Sequence, residues 1–444
     1  MYAGASLFCL AAMVLAAVGC DAESGATPGI PPSARSWSAP ETVEESRIAI
    51  IVRTALDPKG NALLVWDDLE GEVNAKRYDA AKQTWSDSER LDPDNPDDSA
   101  IPDLAMDGNG DAIAVWQRQS QVDDTRSVWT NRYDASKGSW GQATPIANSD
   151  LVLAPQVVMD RAGNALLAFT RSEIGASVMT ARFDVKLGGW SAATPIVPAQ
   201  GLLAGAPQLA MAPGGTAVAA WADGDLDAST IWAARYDSKS ASWQDAQVIG
   251  TRPGTAQPTS VSINEAGTAV AVWVQVEDEK ISVYTSRTEW KPAGWSAPER
   301  LDLEGHGDAF RPRIALDEAG NALAIWSADA DDHRRVWTNR YDASARSWQG
   351  AETLDAGEFD AYAPTLAIQR DGHAVALWTH DEASRRAPYA SSYNAAERSW
   401  SAPRSLESEA EAQSEYVALG LTSDGRALAV WSREGKRFVV SHLR

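Results

Sequence analysis

The stretch Gly320-Asn321-Ala322-Leu323-Ala324-Ile325-Trp326 is the clearest copy of a pattern, Gly-x-Ala-x-x-x-Trp, that recurs along the whole chain. The copies are 50 to 53 residues apart, and each ends in a tryptophan except the third, which ends in Phe169. A period of this length indicates a repeated supersecondary unit. The eight repeat glycines are Gly60, Gly110, Gly163, Gly215, Gly267, Gly320, Gly372 and Gly425.

One repeat, residues 206–250, predicts four short antiparallel strands and no helix. The turn between the first two strands contains Gly214 and Gly215, because glycine adopts a positive φ without steric cost. A polar, acidic loop is expected between the second and third strands, over Ala222–Ser229. The four strands are predicted at 207–211, 216–221, 230–236 and 243–249.

A four-stranded sheet that is apolar on both faces must pack between copies of itself. Radial repetition achieves this and leaves only short, protected edges. We therefore predict an all-β protein, an eight-bladed β-propeller with four strands in each blade. Alanines suit the narrow space near the axis, and tryptophans fill the wider space between blades. A seven-bladed or open ring with one divergent unit is the alternative.

The last repeat contains three strands, and the missing fourth is predicted at the other end of the chain. The segment Ser36-Trp37-Ser38-Ala39-Pro40-Glu41 matches Gly294-Trp295-Ser296-Ala297-Pro298-Glu299, which begins a fourth strand. We expect it to pair with residues 437–443 and close the ring. The expected blades are about 51–92, 93–147, 148–197, 198–250, 251–302, 303–355, 356–407 and 408–444, the last completed by 37–44.

The N-terminus has the features of an export signal. Residues 1–19 carry no charge, and the apolar run 7–18 is too short to span a bilayer as a helix. The sequence Ala17-Val18-Gly19-Cys20 resembles the bacterial lipoprotein cleavage box, which implies lipidation of Cys20 and a signal peptide over 1–19. Residues 20–36 have the composition of a flexible tether to the propeller at 37–444. The expected location is the bacterial cell envelope, on the periplasmic face or the cell surface.

Charge and composition restrict the class of partner. The 444 residues carry a net charge of -22, which argues against binding of nucleic acid and against electrostatic docking on anionic lipid. Membrane association is therefore expected only through the lipid. Cys9 and Cys20 are the only cysteines, so the folded part has no disulfide.

Acidic loops on one face of the ring are the first candidates for a ligand site. Carboxylate oxygens are the ligands that Ca²⁺ prefers, and a Ca²⁺ site is considered at Asp94, Asp97 and Asp98. Irregular aromatic residues on loops are candidates for contact with a glycan or a protein. The candidate ligand-binding residues are Asp67, Asp68, Asp97, Asp98, Asp123, Asp124, Phe310, Asp329, Asp331, Phe359 and Tyr362.

The units resemble propeller repeats of exported bacterial proteins, and the turn Asp317-Glu318-Ala319-Gly320-Asn321 is similar to the turn of NHL-type propellers. The sialidase Asp-box is not matched, so the likeness to sialidases concerns architecture only. Arginine recurs at one position in six repeats, as in Arg287 and Arg340, which favours a structural ladder over a catalytic clamp.

The sequence therefore favours a lipid-anchored propeller that binds a ligand or a protein. A carbohydrate-active enzyme, a glycosidase or lyase with its site in the central pocket, is the first alternative, and it requires unique carboxylates about 5 to 10 Å apart. A passive scaffold within an envelope assembly is the second. No catalytic residue and no cofactor other than Ca²⁺ is indicated.

Overall fold

The computed structural model describes residues 17–18, 35–45, 49–92, 97–123, 125–149, 152–171, 177–196, 203–224, 229–251, 255–288, 294–302, 307–330, 332–355 and 357–444. These residues form eight antiparallel sheets in a ring, in which the sheet of the first blade packs against that of the last. The chain is therefore an eight-bladed β-propeller, and no helix is present in these ranges. The predicted fold is confirmed.

The strands of each blade follow one another outward from the central channel, and we call them inner, second, third and outer. In most blades the outer strand consists of two short pieces that both pair with the third strand. Blade 1 comprises Ala49–Leu56, Ala62–Asp68, Val73–Asp79, Thr84–Trp85 and Glu89–Arg90. Blade 2 comprises Asp98–Met106, Ala112–Gln119, Arg126–Asp134, Ser139–Trp140 and Thr144–Ser149. Blade 3 comprises Val152–Met159, Ala165–Arg171, Ser177–Asp184, Gly189–Trp190 and Thr194–Pro195.

The middle blades keep this order. Blade 4 comprises Leu203–Ala204, Gln208–Met211, Ala217–Gly224, Ser229–Asp237, Ser242–Trp243 and Gln247–Thr251. Blade 5 comprises Ala256–Ile263, Ala269–Glu277, Lys280–Thr288 and Glu299–Arg300. Blade 6 comprises Ala309–Leu316, Ala322–Ala330, His333–Asp342 and Ser347–Thr353. Blade 7 comprises Asp360–Ile368, Ala374–Asp381, Arg386–Asn394, Ser399–Trp400 and Arg404–Ser405.

The eighth blade joins the two ends of the chain. It comprises Ser414–Leu421, Ala427–Arg433 and Arg437–Leu443, and Glu41–Glu45 supplies its outer strand. Glu41 lies opposite Val440 in an antiparallel ladder, which confirms the predicted closure. At its inner edge, Ala17–Val18 pairs in parallel with Gly420 and Leu421.

The recurring pattern forms the turn between the inner and second strands. Gly320 has a φ of 87°, and the carboxylate of Asp317 accepts a hydrogen bond from the backbone N–H of Asn321 at 2.7 Å. The alanine of each copy lies on the second strand and not on the strand that lines the channel. The closing aromatics are at most 2% exposed and pack between blades, as predicted.

The fourth unit differs in detail from the prediction. The hairpin continues into the predicted loop because Asp223 pairs with Thr230 and Gly224 with Ser229. Polar side chains at the exposed end of a hairpin do not interrupt backbone pairing, so acidity was a poor guide to the loop. The outer strand also divides, into Ser242–Trp243 and Gln247–Thr251.

The recurring arginines contact aromatic rings of the following blade. The guanidinium of Arg287 lies 4.4 Å from the ring centre of Tyr341, and that of Arg132 lies 5.8 Å from Phe183. At the closing seam, His442 packs on Tyr78 with ring centres 4.6 Å apart. These contacts support the structural role that was predicted for the arginines.

Candidate functional site

The inner strands carry β-bulges near the end of the channel that lies opposite the glycine turns. We call this end the channel mouth. The residue at the bulge, nine positions before the repeat glycine, has a positive φ in several blades, and a bulge redirects the side chain at its position. These residues are Ile101 (57°), Ala154 (48°), Arg311 (50°), Ala363 (50°) and Tyr416 (51°).

A pocket of about 350 Å³ opens at the channel mouth between blades 6, 7, 8 and 1. This volume lies within the usual range for small-ligand sites. Bulge residues from all four blades line it, and we call it the mouth pocket. Its lining residues are Ile51, Val52, Arg53, Arg311, Tyr362, Ala363, Thr379, Arg386, Glu415, Tyr416 and Val417.

One wall of the mouth pocket is a network centred on Arg386. Its guanidinium contacts the carboxylate of Glu415 and also lies 3.3 Å from that of Asp381. Burial opposes the charge of Arg386, but these two carboxylates outweigh it and raise its pKa. The hydroxyl of Tyr362 donates to Asp381 at 2.8 Å, and partial burial together with this carboxylate raises the pKa of Tyr362 to about 12. The network therefore holds both carboxylates as ion-pair partners.

Two other residues that line the pocket, Arg311 and Tyr416, have fewer partners. Arg311 is exposed, and no carboxylate of the described ranges lies within 4.0 Å of its guanidinium. Tyr416 is 41% exposed, which is unusual for a large side chain in this molecule. These two side chains face solvent at the same opening, so they are accessible to a ligand.

Below the bulges, a polar residue follows on most inner strands, seven residues before the repeat glycine; blade 8 has Ala418 there. Arg53 donates to Asp103 at 3.2 Å, and Asp103 accepts the backbone N–H of Val157 at 2.9 Å. Similar bonds join other blades, as when Gln156 accepts the N–H of Leu209 at 3.0 Å. These bonds connect the inner strands of blades 1 to 4.

The sixth blade places Arg313 at the same level of the channel. Burial, followed by the charges of Arg311 and Arg53, lowers the pKa of Arg313 to about 10. Arg311 lies two residues before Arg313 on the same strand, and Arg53 lines the mouth pocket together with Arg311. Deeper in the channel, a largely apolar cavity of about 110 Å³ is lined by blades 2 to 7 and includes Arg313.

The predicted acidic residues of blades 1 and 2 mostly stabilise their own loops. Asp67 is buried, accepts the N–H groups of Ile51 and Ile101 at 2.8 and 3.0 Å, and has a pKa that burial raises. Asp68 accepts the N–H groups of residues 70 and 72, each at 3.0 Å. Asp123 accepts the hydroxyl of Thr125 at 2.8 Å.

Asp97 and Asp98 lie together in the connection between the first two blades. They accept the N–H and the side-chain amide of Gln121 at 3.3 and 3.1 Å. The backbone of Ser99 also donates to Gly71, at 2.8 Å, so the connection meets the loop of blade 1 on the face that was predicted. Among the described residues, no three His, Cys, Asp or Glu side chains lie close enough to hold a metal ion.

The other candidates fall at blades 6 and 7. Arg334 joins Phe310 and Asp329, since its guanidinium lies 4.1 Å from the ring centre and 2.7 Å from the carboxylate. The rings of Phe359 and His380 pack in an edge-to-face arrangement, with their centres 6.1 Å apart. Only Tyr362 of the candidates lines the mouth pocket. Cys20, Asp94, Asp124 and Asp331 lie outside the described residues.

Sequence reasoning missed Arg311, Arg386, Glu415 and Tyr416. Two of these residues, Arg311 and Tyr416, could have been found from the sequence. When the repeats are aligned on their glycines, the bulge position holds Ile101, Ala154 and Ala363 but also Arg311 and Tyr416. An arginine and a tyrosine where other repeats have small or aliphatic residues are the available signal.

Comparison with known proteins supports the architecture. No family model matches the chain, and no curated protein sequence matches it. The propeller of Dos1 is similar in structure, with a TM-score of 0.57, 11% identity, and coverage of 93% of this chain and 95% of the other. A polysaccharide lyase, an ulvan lyase, has a TM-score of 0.53 and 10% identity, with coverage of 91% and 95%. An α-L-arabinofuranosidase from Fusarium graminearum has a TM-score of 0.44 and 11% identity, with coverage of 69% and 98%. The likeness to Dos1 and to the ulvan lyase supports the β-propeller fold, and at these identities it shows no activity.

The mouth pocket combines cations, hydroxyl groups and exposed aromatic surface. Such a site can bind a polar ligand through charge-assisted hydrogen bonds while an aromatic ring packs against its body.

Proposed function

We propose that the chain is an exported, lipid-anchored binding protein whose ligand enters the mouth pocket. The observation that carries the proposal is that one sector of the ring has Arg311, Tyr362 and Tyr416 around a cavity of about 350 Å³. Residues of this kind are absent from the bulge positions of blades 2 and 3, where Ile101 and Ala154 stand. Departure from the repeat at an open cavity favours recognition over packing.

The experiment that tests this site fills the pocket. Ala363→Trp places a large side chain at a bulge that lines it, and Ala154→Trp makes the same change at a bulge of blade 3. In a glycan and small-molecule binding screen, we expect Ala363→Trp to lose ligands that the unaltered protein and Ala154→Trp retain. Equal binding by all three proteins would contradict the proposed site.

Anchoring through Cys20 is the second part of the proposal. The described residues include no helix that is long and apolar enough to cross a membrane, and the cleavage-box resemblance supplies a different attachment. Cleavage before Cys20 would remove Ala17–Val18 and leave the inner edge at Gly420 and Leu421 open to the channel. We expect Cys20→Ser to move the protein from the membrane fraction to the soluble fraction. Retention in the membrane would contradict the anchor.

A carbohydrate-active enzyme remains the alternative proposal, but the pocket favours binding. Glu415, which lines the pocket, and Asp381 both contact Arg386. A glycosidase needs two carboxyl groups in different roles, a proton donor and a base or nucleophile, whereas these two share one guanidinium. The protein would be assigned as an enzyme if it released reducing ends from an oligosaccharide and if Ala363→Trp lost this activity.

The proposed Ca²⁺ site at Asp94, Asp97 and Asp98 has its own test. A ligand that binds only the folded protein raises the melting temperature. We expect Ca²⁺ to raise it and EDTA to reverse the effect if these carboxylates bind the ion. An unchanged melting temperature at millimolar Ca²⁺ would remove the site.

A further inference from the structure

The mouth pocket concentrates positive charge in an acidic protein. The chain has a net charge of -22, yet Arg53, Arg311 and Arg386 all line one cavity. Arg313, at the same repeat position as Arg53, adds a fourth guanidinium that lines the deeper cavity of the channel. Burial of like charges in one place is unfavourable unless other groups or a ligand compensate them.

Carboxylates of the protein itself compensate most of this positive charge. Arg53 is paired with Asp103, and Arg386 is paired with Asp381 and Glu415. Asp67, a further carboxylate near Arg53, directs its oxygens at the backbone N–H groups of two bulges. The exposed guanidinium of Arg311 is the group at the opening to which no carboxylate in the described ranges is paired.

The backbone holds Arg311 where a ligand can reach it. Its φ of 50° is a left-handed conformation that residues other than glycine adopt at a cost. The following residue, Pro312, and the bulge between Phe310 and Arg313 fix this turn of the chain. Arg311 therefore presents its side chain at the opening from a rigid inner strand and not from a mobile loop.

The remaining groups of the pocket suit a hydroxylated ring. Tyr362 and Thr379 carry hydroxyl groups, and Glu415 accepts hydrogen bonds. Tyr416 offers an exposed aromatic face beside them. An apolar ligand would displace water from the guanidinium of Arg311 without replacing its hydrogen bonds, which is unfavourable.

We infer that the mouth pocket binds a sugar ring bearing a carboxylate or sulfate, with Arg311 contacting the anionic group and Tyr416 packing against the ring. The inference rests on the proposed function, because it names the ligand class of that pocket. A carboxylate and a sulfate differ in shape, but each presents at least two anionic oxygens. A guanidinium binds such a pair of oxygens through two parallel hydrogen bonds.

The test measures calorimetric affinity for three probes and two pairs of variants. The probes are an oligogalacturonate, its methyl ester, which removes the charge and keeps the rings, and a sulfated oligosaccharide. Arg311→Gly removes the guanidinium and relieves the positive φ, and Arg346→Gly is the matched control, since Arg346 is also exposed with a φ of 53°. Ala363→Trp and Ala154→Trp report whether binding occurs in the pocket at all.

We expect at least one anionic probe to bind, the methyl ester to bind at least about tenfold more weakly, and Arg311→Gly to lose at least about tenfold in affinity. Arg346→Gly should keep the affinity of the unaltered protein. The two anionic probes distinguish a carboxylate from a sulfate ligand.

Other results overturn the inference in different ways. Equal affinity for the acid and its ester, with loss in Ala363→Trp, would keep the pocket and reject the anionic ligand. Anionic binding that survives both Ala363→Trp and Arg311→Gly would reject the pocket as well. Absence of binding to both anionic probes would reject the ligand class, and the screen with Ala363→Trp would still decide the proposed function.

Discussion

The bulges of blades 6 to 8 and those of blades 2 and 3 share a left-handed backbone conformation and differ in their side chains. Arg311 and Tyr416 stand at φ values of 50° and 51°, and Ile101 and Ala154 stand at 57° and 48°. Only the first pair lines the mouth pocket. The bulge therefore belongs to the architecture, and under the proposed function the side chain placed on it decides whether that part of the ring binds a ligand.

The same contrast separates stability from recognition. We call blades 6, 7, 8 and 1 the pocket sector and blades 2 and 3 the other sector. Positions that recur in every blade pack blades together, so their substitution should affect both sectors alike. Positions that depart from the repeat should affect binding and leave the ring intact. The following substitutions compare the two sectors, in order of decreasing effect.

Truncation of an inter-blade tryptophan should have the largest effect. Trp326 and Trp116 lie in different sectors and are at most 1% exposed. Loss of either side chain leaves a cavity, and we expect Trp326→Ala and Trp116→Ala each to lower the free energy of unfolding by about 3–5 kcal/mol. Chemical denaturation measures this. A much smaller effect in one sector would show that the blades do not pack equivalently.

The buried ion pairs between blades should come next. Arg433 donates to Glu407 at 2.7 and 3.1 Å, and the carboxylate side chain is 0% exposed. Arg433→Ala leaves this charge buried without its partner, so we expect a loss of about 3 kcal/mol. Arg118, paired with Asp92 in the other sector, provides the comparison. A loss below about 1 kcal/mol, as for an exposed pair, would contradict the structural role.

Relief of the strained bulges should have a smaller and opposite effect. Glycine adopts a positive φ without steric cost, so Ala154→Gly and Arg311→Gly should each raise the free energy of unfolding by up to about 1 kcal/mol. Thermal denaturation compares them. If Arg311→Gly destabilised the protein while Ala154→Gly did not, the Arg311 side chain would stabilise the fold, and its role would not be confined to ligand binding.

The closing seam should respond to pH with the smallest effect. Burial, followed by the charge of Arg444, lowers the pKa of His442 to about 4. Because the unfolded chain binds the proton more readily, the stabilisation is present above a pH of about 6.5 and is lost as the pH falls towards about 4. Allowing for solvent screening, we expect about 1 kcal/mol less stability at pH 5 than at pH 7. His442→Phe should reduce this difference, and an unchanged pH dependence would contradict the assignment.

The ring could be predicted from the sequence because the residues that pack one blade against the next recur in every repeat. The recurring glycine turn, the buried aromatic and the segment that became Glu41–Glu45 all follow from the need to bury two apolar faces and close a circle. The site could not be predicted in the same way. Asp67 looked like a loop ligand but is buried against two backbone amides, whereas Arg311 and Tyr416 are distant in sequence from Arg53 and meet it only through closure. Of the residues that line the mouth pocket, the sequence pointed to Tyr362, and the acidic loop residues stay a separate prediction.

Amide hydrogen exchange with and without a bound oligogalacturonate tests the central claim most directly, because it locates the ligand without substitution. We expect the ligand to slow exchange at 311–313, 362–363 and 415–417, and to leave the bulges at 101–103 and 154–156 unchanged. Protection confined to the acidic connection at 97–98 and the loop at 68–72, or spread equally over all bulges, would contradict a binding site at the mouth pocket.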